Sequence, residues 1–307
     1  MEEGEEGDQP DQAEGGEDRE GEARRHRRVS EPADLVQGRR EAAEEGAGGD
    51  REGGRGDGRG EAAGVRGTLR AGGRVSGLSG GLNVASRIHV FDVFGTPYLG
   101  LFATCTDRFL ILPTITPDKD ARLLGQMLSV EPVKASVASS FLIGVMVAAN
   151  SNGVLMPRTA LDEEVESLRR SLADRNVVVL ESRLTALGNL ILANDRGAVV
   201  SPDFTQRDVR AISDALSVEV VRGTISGMKT VGSLAVVNNR TGVVTVDASD
   251  SDLELLREVL KVELFRVTVN DGSKFVRSGL LANDWGVVVG SRTRGPELML
   301  LSTAFNR

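Results

Sequence analysis

An α/β propeller of five repeats is the fold this sequence predicts, on three observations. Gly100, Gly144, Gly188 and Gly232 each follow an apolar residue (Leu99, Ile143, Leu187 and Val231) and stand 44 residues apart. Asn150, Asn194 and Asn238 follow three of these glycines by six residues, and Asn283 follows Asn238 by 45. After each asparagine come a tight polar turn, a second apolar run and a segment of helical periodicity.

The chain ahead of the repeats is of a different kind. Met1 to Ala85 contains no lysine and no aromatic residue, and carries 20 acids against 13 arginines. Such a composition cannot bury enough apolar surface to offset its ordering entropy, so residues 1–85 are expected to be a disordered, low-complexity extension. An over-long start, with the natural one near Val84 to Ile88, is the alternative. Its Arg24, Arg25, His26, Arg27, Arg28 cluster is assigned no function. Most of the chain's net charge of −8 belongs to this extension. The remainder, residues 86–307, is near neutral and has no overall field for gripping nucleic acid.

The fullest repeat is Leu184 to Asp203, LTALGNLILANDRGAVVSPD. Two apolar runs across the Asp195, Arg196, Gly197 turn read as a β-hairpin. Ser151 to Gly153, Asn239 to Gly242 and Asp284 to Gly286 give the matching turns. The first repeat is looser, with Thr106, Asp107 and Arg108 before Phe109 to Leu112. Asparagine suits these places because it tolerates left-handed backbone and bonds its own chain.

A helix follows each hairpin. Thr116 and Pro117 read as an N-cap and first helical residue ahead of Asp118 to Leu128. Asp162 to Leu172, Thr205 to Leu216 and Ser249 to Leu260 place leucine and valine on one face, and the last helix starts near Pro296. Val177 to Leu180, Val218 to Arg222 and Val262 to Val267 read as closing strands. No such unit buries its own faces alone, whereas five arranged radially share a core. An open solenoid would need polar capping repeats, which the first and last units do not resemble.

Taken together, RLTALGN (183–189), LANDRGAVVSPD (192–203), TVGS (230–233), LANDWGVVVG (281–290) and TRGPEL (293–298), in this order, resemble the translation initiation factor 6 family in its archaeal form. The resemblance covers nearly all of Ile88 to Phe305. It implies the pentein fold, a pseudo-fivefold α/β propeller, in agreement with the repeat count. It also implies a cytoplasmic, monomeric factor that binds the large (50S) ribosomal subunit. There it would contact a ribosomal protein near the sarcin–ricin loop, with local rRNA contact, and sterically prevent association with the small (30S) subunit. A role in large-subunit biogenesis comes with the same resemblance. The chain departs from the family in its leading extension and in lacking the C-terminal tail of eukaryotic members.

Penteins also include guanidine-modifying enzymes, which use a late cysteine nucleophile, a histidine base and paired carboxylates. Here the cysteine is Cys105, in the first repeat, and the histidines are His26 and His89. That pairing cannot be assembled. No catalytic residue, cofactor, metal or membrane span is therefore expected; a ring scaffolding a non-ribosomal partner is the third class. Cys105 reads as a small buried residue, His89 as a strand-face residue, and Trp285 as a turn aromatic or an interface anchor. Asn189 is different. It follows Gly188 where other repeats carry Leu101, Val145 and Ser233, so the architecture does not demand it, and the resemblance puts it on the ribosome-facing surface. Asn189, Arg183, Val145 and Ser233 are the candidate ribosome-binding residues.

Overall fold

The computed structural model describes residues 88–306; the extension expected over 1–85 lies outside the described residues. The repeats fold as five blades, each a three-stranded sheet. Blade 1 is built from Thr104–Cys105, Phe109–Pro113 and Glu131–Ala135, and blade 2 from Ala148–Ala149, Gly153–Pro157 and Asn176–Leu180. Blade 3 uses Ile191–Ala193, Gly197–Val200 and Glu219–Arg222, and blade 4 uses Ala235–Val237, Thr241–Thr245 and Glu263–Val267. In each, the first two strands pair antiparallel across the polar turn, and the third adds parallel to the second. A parallel neighbour needs a crossover, and the long helix between second and third strands supplies it.

Blade 5 closes the ring. Its hairpin, Leu280–Ala282 with Val287–Val289, takes its third strand from the other end of the folded chain, Ile88–Val90. The register Ile88↔Val287 and Val90↔Val289 joins the two ends of the five-blade unit within one blade, as a closed propeller does and an open solenoid does not. The innermost strands touch in sequence from blade to blade and back to the first. Closure therefore decides between propeller and solenoid.

The long helices, Asp118–Leu128, Asp162–Ser171, Gln206–Leu216, Asp250–Leu260 and Gly295–Phe305, match their expected positions. Leu253, Leu256 and Leu260 are buried on one face of the fourth, each contributing roughly 2 kcal/mol of apolar burial. Thr205 and Ser249 cap their helices and accept bonds from Asp208 and Asp252 backbone N–H groups. The first helix differs from expectation. Pro117 is its cap residue, Asp118 its first helical residue, and the buried Thr116 hydroxyl makes no capping bond. The extended backbone of Pro117 (ψ 140°) turns the chain into the helix one residue later than the Thr-Pro pattern suggests.

The stretch from Leu184 to Asp203 also departs from a simple hairpin. Leu187–Leu190 forms one helical turn, and only Ile191–Ala193 and Gly197–Val200 pair as strands. Leu187, Leu190 and Ile191 follow i, i+3, i+4 spacing, which a helical turn places on one side. The same turn opens every blade, at Leu99–Phe102, Ile143–Met146, Val231–Leu234 and, as a 3-10 turn, Val276–Gly279. These five turns touch pairwise in a closed ring. The repeat glycine makes that possible, since a Cβ on Gly188 would meet the carbonyl oxygens of Gly144 and Val147. Gly144 and Gly232 are confined in the same way by Gly100 and Gly188.

Candidate functional site

Each innermost strand has a short helical turn at one end and a polar turn at the other, led by asparagine in four blades and by Thr106 in blade 1, so the ring presents two different faces around one axis. The asparagine face is architecture. Asn194 Oδ1 accepts from the N–H groups of Arg196 and Gly197 in its own turn. Its Nδ2 donates to Asn238 O in the next blade, 3.0 Å away, and to Leu260 O, 2.9 Å away, at the end of that blade's helix. Asn150 and Asn283 repeat both bonds on their neighbours. Asn150, Asn194 and Asn283 thus close their turns and cap the next helix, satisfying a terminal carbonyl, whereas Asn238 closes its turn and, among the described residues, donates to Asn283 O alone. None of the four has positive φ, so bonding rather than left-handed backbone selects asparagine here. Thr106 in blade 1 makes only the local half of the pattern.

Asp107, Ser151, Asp195, Asn239 and Asp284 follow these residues around the axis. Asn239 Nδ2 donates to both Asp107 Oδ2 and Asp195 Oδ2 at 2.7 Å, holding two carboxylates of other blades. Burial, then the neighbouring Asp107 charge, pushes Asp284 above the usual carboxylate range. Among the described residues no His, Cys, Asp or Glu group is arranged to hold a metal ion. Trp285 stands on this face, exposed, with its indole N–H donating to Asp107 O.

The short-helix face is built by loops held under tension. Ala138 and Ser139 both have positive φ (54° and 56°), as do Phe94 and Ser226 in the matching loops. Two successive residues of this kind make the tight turns bridged at Val93↔Thr96, Val137↔Ser140 and Ile225↔Met228. For non-glycine residues this backbone costs roughly 1–2 kcal/mol each. Glu164, in the first turn of its helix, accepts from the N–H groups of Ala138 and Ser139 and from Ser136 Oγ, and so fixes the loop. Glu297 does the same for Asp271 and Gly272, and Asp252 for Ser226. Burial raises Glu164 and Glu297, but the bonds from Leu161 and Ser139, and from Arg294 and Gly272, outweigh it and hold both carboxyls below their ordinary value.

These loops and turns bring aromatic residues to one face. Phe94 packs edge-on to Phe102 at 5.2 Å, and Phe102 stacks on Phe141 at 6.2 Å. Phe94, Tyr98, Phe141 and Phe275 all remain exposed. Near the axis lies a bowl of about 500 Å³, walled by Tyr98, Leu101 and Phe275 and carrying Asn189, Ser233 and Arg277.

The structure therefore brings Asn189 and Ser233 together. Val145 holds the equivalent place on the short helix of blade 2, half-buried, and does not line the bowl. Arg183 is exposed on the loop entering the blade 3 turn, also outside the bowl. Sequence reasoning missed two features. One is the aromatic ladder, whose members are far apart in the chain. The other is Arg277, which stands where the other four blades carry the repeat glycine. Its signal was present: 277 lies 45 after Gly232, the same one-residue slip that separates Asn283 from Asn238.

Cys105 faces the axis, its Sγ–H donating to Ala282 O at 3.3 Å. Burial pushes the thiol up to about 12, which Arg277 only partly offsets. It stays protonated and is a poor nucleophile. His89 is half-buried on the closing strand of blade 5.

A profile described as the eIF-6 family matches residues 88–304. Curated relatives include translation initiation factor 6 of Methanosarcina acetivorans, 36% identical over 66 residues, which is 22% of this chain and 30% of that protein. That of Thermococcus onnurineus is 40% identical over 68 residues, again 22% and 30%. The aligned part thus spans under a third of these relatives. Among solved structures, DDAH from Pseudomonas aeruginosa complexed with citrulline superposes with a TM-score of 0.37 at 11% identity, covering 55% of this chain and 68% of that one. A likeness at that TM-score carries no inference about chemistry.

Proposed function

Because this chain belongs to the eIF-6 family, we propose that it acts in translation initiation, binding the large ribosomal subunit and sterically preventing the small subunit from joining. The observation that carries this reading is the extent of the family match. It runs from the closing strand Ile88–Val90 to the last helix, across all five blades rather than one motif. The short-helix face is the docking surface, with Asn189 and Ser233 at its centre, the aromatic residues around them, and Val145 and Arg183 further out. Side-chain amide and aromatic groups on pre-set loops suit docking, because little conformational freedom is lost when the partner arrives. The mechanism is occupation of space and involves no bond making; the high thiol pKa of Cys105 fits that reading. Initiation takes place in the cytoplasm, which is where the protein would act.

The test is a sucrose gradient of purified protein with archaeal large and small subunits. Co-migration with the large subunit and fewer joined ribosomes are expected. Migration with neither subunit would overturn the proposal and turn attention to a non-ribosomal partner for the ring.

A further inference from the structure

Arg277 occupies a place that the fold gives to glycine. In the other four blades the second residue of the short turn is Gly100, Gly144, Gly188 or Gly232. In blade 5 it is an arginine whose side chain crosses to blades 1 and 2, where Nη2 donates to Thr104 Oγ1 at 2.7 Å and Nε to Gly144 O at 3.3 Å. Arg277 lines both the bowl and a small cavity of about 40 Å³ that Thr104, Cys105 and Ala282 also line. The side chain is half-buried, and the loss of solvent around it pulls its pKa down from the ordinary value. Among the described residues no carboxylate pairs with it, and the protonated Cys105 thiol supplies no counter-charge. A guanidinium has five N–H donors, and two of these have partners in the protein. Asn189, on the same bowl, has a side-chain amide without a partner among the described residues. A shielded cation with spare donors is stabilised by an anion that completes its bonding.

We propose that the axial bowl receives a carboxylate carried by a protein segment of the docking partner, with Arg277 as its charge partner and Asn189 as a second donor. This rests on the docking reading of the short-helix face. The walls favour a protein carboxylate over an RNA phosphate. Tyr98, Leu101 and Phe275 offer apolar surface to an aliphatic or peptide stem, and the bowl carries one cation, whereas a nucleic-acid strand is gripped by several. A volume of about 500 Å³ admits a few residues of chain end or a single acidic side chain with its neighbours.

Two measurements test it on the full chain. In the first, the Arg277 Nε–H resonance is followed by NMR during titration with N-acetyl-leucine, its neutral amide, and inorganic phosphate. Saturable movement with the carboxylate, absent with the amide, is expected. Movement by phosphate at lower concentration than by the carboxylate would overturn the protein-borne assignment in favour of RNA, and movement by none would overturn the site. In the second, Arg277→Met and Arg277→Lys are compared with the parent in large-subunit binding. Arg277→Met should bind about tenfold more weakly, while Arg277→Lys should retain most affinity, as loss of one charge-assisted contact predicts. Equal binding by Arg277→Met would overturn the proposal. Arg277→Gly, which copies the other blades, gives the same comparison if Arg277→Met lowers the thermal midpoint. Should the parent itself not bind large subunits, the initiation-factor reading fails, and the NMR titration alone decides the bowl.

Discussion

Replacing Asn194 by aspartate changes one NH₂ group into an oxygen and separates the two jobs this side chain performs. The Oδ1 bonds to Arg196 and Gly197 survive, so the turn itself is preserved. The two Nδ2 bonds, to Asn238 O and Leu260 O, are lost. Their net worth is roughly 1 kcal/mol each, and two buried carbonyls left without a donor add about 1 kcal/mol or more apiece. Asn194 is only 5% exposed, so a carboxylate there would face those carbonyls with little water. A deficit of about 4 kcal/mol or more is expected at pH 7 in urea unfolding. The new carboxyl would have a folded pKa above its unfolded value of about 3.9, so its penalty grows as pH rises from there and shrinks toward pH 4. Thr106→Ala is the internal control. Thr106 makes no bond to the next blade, so its loss should lower stability by roughly 1–2 kcal/mol. A variant Asn194→Asp within 1 kcal/mol of the parent at pH 7 would refute the helix-capping account of the repeated asparagines.

Other outcomes follow from the same contacts. Gly188→Ala drives a methyl into the backbone of blade 2, so it should lower stability by roughly 3 kcal/mol or prevent soluble expression, read by thermal unfolding. Glu164 is held below its usual pKa in the folded state. Its contribution is present above the unfolded value and lost as pH falls through the folded one; Glu164→Gln should lose stability at pH 7 and converge with the parent in acid. Cys105 should resist alkylation by iodoacetamide at pH 8 in the native protein and react at once in urea; equal rates would contradict the raised pKa of the half-buried thiol. Asn189→Arg puts a second cation in the bowl beside Arg277. It should weaken large-subunit binding at least tenfold with the unfolding midpoint unchanged, and undiminished co-sedimentation would remove Asn189 from the site.

Much of the fold was legible because local chemistry repeats. The long helices announce themselves by capping residues such as Thr205 and Ser249 and by leucines at helical spacing. The asparagine turns are visible because their side-chain oxygen serves neighbours two and three residues on. What escaped was short or distant. A one-turn helix such as Leu187–Leu190 is too brief to separate from the strand that follows it, and Ile88–Val90 pairs with residues almost two hundred positions away. The candidate site was legible in part. Asn189 stands out as the departure at one repeat position, Ser233 is its equivalent in the next blade, and the two share the bowl. Val145 holds the same repeat position yet lies outside the bowl, which its equivalents Leu101, Asn189, Ser233 and Ser278 all line.

By itself the sequence determined the unit, its five-fold count and the residues that make each blade, because these depend on neighbours within a few turns of chain. Tertiary structure decided the rest: closure through the first strand, the role of asparagine as the cap of another blade's helix, and the bowl with Arg277 at its base. Each of these depends on groups brought together only when the five-blade unit closes. A carbonyl 66 residues from Asn194, or a threonine hydroxyl 173 from Arg277, becomes a partner through packing, and no local pattern encodes it.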